Sequence, residues 1–157
     1  MTAARDARSI PRTLRCFFLA FVFLVAACGR SPRDPVLDCL QGAAKAAEAR
    51  DAGGVLARLS EGYRDAEGGK AEALLLIKRY FAAYESLSIS LANVAVQRGD
   101  VSARARFTVR MSGRPRAVAG LEGLLPRASR WRFVARLEAE KDGWKITEAA
   151  WARLEDD

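Results

Sequence analysis

From Val101 to Met111 apolar and polar side chains alternate without a break, with Ala103, Ala105, Phe107 and Val109 set against Ser102, Arg104, Arg106, Thr108 and Arg110. A period of two places the first set on one face of a β-strand and the second on the other. The same pattern runs through Trp131, Phe133, Ala135, Leu137 and Ala139, with Val134 the exception. Leu87, Ile89 and Leu91 alternate too, and then the phase slips to Val94 and Val96, which predicts a bulge or bend. Arg98-Gly99-Asp100 predicts a turn and Asp142-Gly143 a tight hairpin, after which Trp144, Ile146 and Trp151 close the sheet. Hairpins in sequence make an antiparallel meander of about four strands with one apolar face.

Upstream the period lengthens to that of helices. Asp34 followed by Pro35 reads as an N-cap with proline at the first helical position. Val36, Cys39, Leu40, Ala43 and Ala47 then share one face up to about Arg50, so Cys39 reads as a structural, buried thiol. Asp51 opens a shorter helix expected to run through Val55, Leu56 and Leu59. The stretch from Gly62 to Gly69 breaks it and holds a short strand at its start. The strongest helix runs from Lys70 to Tyr84: Leu74, Ile77, Phe81 and Tyr84 form a stripe, flanked by Ala73 and Tyr80, while Lys78 and Arg79 face away. That stripe is expected to lie on the apolar face of the sheet. The class is therefore α+β, three helices packed on an antiparallel sheet.

The first 33 residues follow another logic. Arg5, Arg8, Arg12 and Arg15 against the single acid Asp6 precede an apolar run of 11 residues, Phe17 to Ala27. Charge followed by an apolar run is the order of a secretory signal, and a span needs about 20 apolar residues, so a stop-transfer segment is disfavoured. Val25-Ala26-Ala27-Cys28 resembles the lipobox of bacterial lipoproteins. The resemblance implies cleavage after residue 27, lipidation of Cys28 and acylation of the new N-terminus, so that the partner of Cys28 is a membrane. Gly29 stands where lipoproteins kept at an inner membrane carry Asp, which implies the periplasmic side of an outer membrane. Residues 28–33 then act as a short polar tether, and 34–157 form the domain.

Removing residues 1–27 leaves 130 of 157, enough for one domain with a core. The mature charge falls from +7 to about +4, basic without being extreme. Cys16 leaves with the signal and Cys28 carries lipid, so Cys39 has no partner for a disulfide. With no histidine in the chain and one free thiol, a metal site is disfavoured, and no cofactor is implied.

The order of three helices, a glycine-rich break before the longest, and a bent meander ending in a Trp-bearing strand resembles the nuclear transport factor 2-like, or SnoaL-like, superfamily. The likeness covers about Asp34 to Leu154 and rests on element order and local texture, such as Tyr63-Arg64-Asp65, Tyr80-Phe81-Ala82-Ala83-Tyr84 and Gly143-Trp144-Lys145-Ile146. It implies a cone in which a curved sheet wraps the long helix and leaves a pocket at the open end. The superfamily holds isomerases, cyclases and dehydratases beside many binding domains, so the fold leaves the function open.

Chemistry in such a cone needs an acid or base reaching inward. Every cone-facing position from Val101 to Met111 and from Trp131 to Ala139 is apolar, and no family aspartate or histidine maps onto this chain. The polar groups able to approach the mouth are Tyr63, Asp65, Tyr80, Tyr84 and Glu122. These weigh against catalysis and toward a non-enzymatic binding or assembly domain for a partner protein or a small apolar ligand, with an isomerase, cyclase or dehydratase as the alternative. Arg104, Arg106, Arg110, Arg132 and Arg136 share the outward face. That face is either an ordinary solvated one or a contact for an envelope protein or anionic headgroups. Nucleic acid is disfavoured, because no aromatics are interleaved outward. Symmetry-related arginines would repel, so a monomer is favoured over a homodimer. The connection 113–129 reads either as a lid or docking segment or as a flap that buries itself.

Overall fold

The computed structural model describes residues 34–117 and 126–155; the signal, Cys28, the tether, Glu122 and most of the 113–129 connection's apolar residues lie outside them. Residues 34–157 form a compact unit of their own. Helix α1 spans Pro35–Glu48, α2 Ala52–Leu56 and α3 Lys70–Ala83; the strands are β1 Leu59–Arg64, β2 Tyr84–Arg98, β3 Ser102–Pro115, β4 Ala128–Glu140 and β5 Gly143–Leu154. The sheet therefore has five strands, in the order β1-β5-β4-β3-β2. The expected four-strand meander is corrected by β1, which pairs parallel to β5 through an irregular register. Leu59 opens this strand, whereas the pattern had placed it at the end of α2.

Local chemistry sets the boundaries. Asp34 Oδ1 accepts from Val36 N at 2.9 Å and Asp51 Oδ1 from Gly54 N at 2.9 Å, capping α1 and α2. Glu72 reaches back to the Gly69 N–H at 2.9 Å at the start of α3. The phase slip in β2 is a bulge between Ala92 and Ala95, with Asn93 at φ 52°. Gly99 N closes on Ser102 O at 2.8 Å in the β2–β3 turn, and Gly143 takes φ 108° in the β4–β5 turn. Gly113 is required by close approach, since a Cβ there would stand 2.4 Å from the Ser86 carbonyl.

The core lies at the closed end, and α1 supplies its plug. Val36, Cys39 and Leu40 are buried with Ala103, Ala105, Leu137 and Ile146 of the sheet. Helix α1 packs most extensively against β2 and α2. Burial also pushes the Cys39 thiol up from its ordinary pKa. Helix α3 behaves differently from the expectation: Ala73 is buried, but Leu74, Ile77 and Phe81 are half-exposed, and Leu75 is 57% exposed. The face of α3 that carries Ala73, Leu76, Ile77, Tyr80 and Phe81 borders a space, not a tightly packed sheet, and Leu74 lies outside that lining. Arg50, in the left-handed region at φ 57°, donates from its guanidinium to the Phe81 and Glu85 carbonyls and so fastens the far end of α3 to the end of α1. Val101, read as cone-facing, is 69% exposed, because the β2–β3 turn carries it beyond the strand.

Candidate functional site

The space under α3 is an open cavity of about 470 Å³. One wall is α1 through Leu40, Ala43 and Ala47, and the other is α3 through Leu76, Ile77 and Phe81. The sheet forms the floor. Phe107, Phe133 and Trp151 occupy one cross-strand row of β3, β4 and β5. Their rings stack, Phe107 on Phe133 at 5.5 Å and 9°, Phe133 on Trp151 at 5.7 Å and 27°. Offset rings at such separations give a continuous apolar surface with polarisable faces.

Polar groups enter at the turn between β1 and α3, and again through Tyr80 near the far end of α3. Tyr63, on β1, is buried and donates its hydroxyl hydrogen bond to Asp65 Oδ2 at 2.7 Å. The other oxygen of Asp65 accepts from the Glu67 and Gly68 N–H groups at 2.8 and 3.0 Å, so the carboxylate is locked into the turn between β1 and α3. Burial first, and then the bond to and the charge of Asp65, push the Tyr63 phenol up from its ordinary pKa. Tyr80 and Glu67 complete the polar lining, and among the described residues no lysine or arginine belongs to it.

Three of the expected residues, Tyr63, Asp65 and Tyr80, thus meet at the cavity. Tyr84 does not join them: it is 1% exposed, and its hydroxyl donates to the Pro126 carbonyl at 2.9 Å. It pins one end of the connection to the start of β2. Glu122 lies outside the described residues. Glu67 was overlooked in the sequence, although its place two residues after Asp65, before Gly68-Gly69, marked it as part of the same turn. Among the described residues no group of three or more His, Cys, Asp or Glu is placed to hold a metal ion.

The Tyr63 shift has a testable sign. The folded chain holds the phenolic proton more tightly than the unfolded chain, so its contribution to stability is complete below about pH 10 and is lost as pH rises above it. Thermal melts of the wild type should fall steeply above that pH. Tyr63→Phe should flatten this alkaline limb, and an unchanged limb would show that the proton on Tyr63 is not tightly held.

No protein-family model matches the chain, and no curated protein does. Solved structures do match. A proposed aromatic ring hydroxylase of Novosphingobium aromaticivorans is 20% identical, with 77% of this chain and 87% of that one covered and a TM-score of 0.65. A proposed dehydratase of the NTF2-like family from Streptomyces avermitilis is 12% identical, covers 77% and 95%, and has a TM-score of 0.63. The hexachlorocyclohexane dehydrochlorinase LinA-type3 of Novosphingobium barchaimii is 12% identical, covers 88% and 91%, and has a TM-score of 0.62. Together with the curved, open five-stranded sheet, these establish the nuclear transport factor 2-like α+β fold. At such identities the likeness carries the fold, and the activities remain those of the neighbours.

Proposed function

We propose that the cone takes up a small, flat, largely apolar molecule whose polar end is uncharged or cationic. The observation that carries this reading is the lining: a stacked aromatic floor between apolar helices, with Asp65 and Glu67 as its only charged groups among the described residues. An anionic ligand would lose hydration on entry and meet no cation there. A phenol, amine or amide could keep a hydrogen bond to the Tyr63–Asp65 pair or to Tyr80.

A second reading is that the cone transforms its guest as an isomerase, cyclase or dehydratase. The enzyme neighbours favour this reading more directly than passive binding. Tyr63 and Asp65 would then handle the proton, one lending a donor to the departing group and the other accepting from carbon. The hydrogen bonds argue against it, since both Asp65 oxygens are already engaged by protein donors. Turnover of small cyclic alcohols and halides, followed by mass spectrometry, separates the two. Product formed by the wild type and lost in both Tyr63→Phe and Asp65→Asn supports catalysis; saturable binding without product supports uptake alone.

For the N-terminal region we propose a lipid anchor at Cys28 that holds the domain as a monomer in the cell envelope, on the periplasmic side of an outer membrane. The lipobox-like sequence supports it. A single acyl chain anchors weakly, whereas two or more hold durably, at about 0.8 kcal/mol per buried CH₂. Expression in a bacterium that processes lipoproteins should yield a membrane-bound product, heavier than the chain 28–157 by its acyl groups. Cys28→Ala should abolish both the added mass and the membrane fractionation. A soluble, unmodified wild-type product would contradict the anchor.

A further inference from the structure

The face of the sheet turned away from the cone has chemistry of its own. Arg104, Arg106 and Arg110 of β3 stand exposed beside Arg132 and Arg136 of β4. The register sets Arg104 directly opposite Arg136. Like charges at opposed positions of neighbouring strands destabilise a sheet. Among the described residues, the ion pair that touches this row is Arg136 with Glu148 at 3.6 Å, both side chains 59% exposed. Such an exposed, long pair offsets little of the repulsion. The surface is also indented: a depression of about 350 Å³ is lined by Arg64, Arg104 and Arg136, by two carboxylates, Glu148 and the turn residue Asp65 whose oxygens already accept from protein donors, and by Val134 and Ala150.

We infer that this face docks on the phosphate headgroups of an anionic membrane, with one phosphate seated between Arg64, Arg104 and Arg136. Guanidinium groups match phosphate oxygens with two parallel hydrogen bonds, and an anion between Arg104 and Arg136 would relieve their repulsion. Arg104 and Arg106 stand two residues apart, about 6.7 Å along β3, with Arg136 about 4.8 Å across on β4, and Arg132 and Arg110 continue the patch beyond Thr108, an array suited to a layer of anions. The hot spots of protein partners set arginine beside Trp or Tyr anchors in desolvated pockets. Here the centre offers Val134, Ala150 and Ala152, and every ring of β3, β4 and the stacked row faces the cone. The docking rests on the anchor reading only for its occasion, because a tether at Cys28 would keep the face close to a bilayer. Its affinity can be measured without the lipid.

The test uses the chain from residue 28 onward with Cys28→Ser, sedimented with vesicles of phosphatidylcholine alone or mixed with phosphatidylglycerol. Binding is expected to the mixed vesicles only, weakening as salt rises. Arg104→Glu with Arg106→Glu should lower the partition coefficient by about tenfold or more, with an unchanged circular dichroism spectrum. Lys78→Glu with Arg79→Glu makes the same change in net charge on the outer side of α3 and should leave partitioning within about twofold. Equal loss in the two double variants would show a simple net-charge effect and overturn the proposal. So would the absence of binding to anionic vesicles, or displacement by inorganic phosphate at an ionic strength where chloride does nothing, which would mark a small-anion site instead. Each of these results leaves the lipidation measured by mass spectrometry untouched, so the two readings fail separately.

Discussion

Leu137→Ala should lower the stability of the fold by about 2–5 kcal/mol, the range for removing a fully buried leucine side chain and leaving part of its space empty. Leu137 is 0% exposed and belongs to the cluster that joins Val36, Cys39 and Leu40 of α1 to the sheet. On β4 it stands between Ala103 of β3 and Ile146 of β5. Those neighbours are held by backbone ladders on both sides, so they cannot easily collapse into the gap. For a domain of this size the midpoint of thermal unfolding should fall by about 10 °C or more. Leu75→Ala, at a position 57% exposed on α3, should change stability by less than about 0.5 kcal/mol. Equal effects from the two variants would mean that the closed end of the cone is not the core.

The second large effect concerns the open end. Ala43 and Ala47 lie one turn apart on α1, half-buried, with their methyl groups on the cavity. Ala43→Phe with Ala47→Phe would push two rings into existing space. Filling a void costs less than overpacking a dense core, so stability should change by about 1 kcal/mol or less. Binding of an apolar guest should weaken by about tenfold or more, because the guest would have to displace rings that already cover the aromatic floor. Thermal melts and an N-phenyl-1-naphthylamine titration on the same samples separate the two quantities. A variant that melts like the wild type and binds equally well would place the guest outside the cone.

Much of this architecture could be read from the residues because the governing interactions are local. The alternation of Ala103 to Met111, the turns at Gly99 and Gly143, the caps at Asp34 and Asp51, and the bulge after Leu91 depend on neighbours within a few positions. Strand β1 was legible only as a short strand from Gly62, and its start at Leu59 was not, because Leu59-Ser60-Glu61-Gly62-Tyr63-Arg64 buries its first two residues and then its fifth, which is not a period of two. Its partner is the last strand of the chain, a pairing no local pattern encodes. The role of α3 was hidden for a different reason. An amphipathic stripe shows that one face avoids water, but a stripe facing an apolar cavity has the same sequence as one pressed on a sheet. Only the separation of α1 and α3, fixed in part by Arg50, distinguishes them.

At the candidate site the polar groups were legible as a set but not in their roles. Tyr63 and Asp65 are two apart on a strand and its exit, so their meeting was available from spacing. Tyr84 looked equivalent to Tyr80 on a helical wheel. The helix, however, stops at Ala83, and the extended backbone of Tyr84 turns that ring into the closed packing around Pro126. Arg64 likewise follows from alternation, since Tyr63 points inward, yet its place beside Arg104 and Arg136 required the β1–β5 pairing.

The proposal that the cone takes up largely apolar molecules and refuses anions is tested most directly by a paired titration of the chain from residue 28 onward carrying Cys28→Ser. The probes are neutral N-phenyl-1-naphthylamine and its anionic sulfonated relative 8-anilino-1-naphthalenesulfonate, read through the emission of Trp131 and Trp151, which line the cavity. Saturable quenching by the neutral probe and little by the anion is the expected result. Tighter binding of the anion, or no saturation with either, would contradict it.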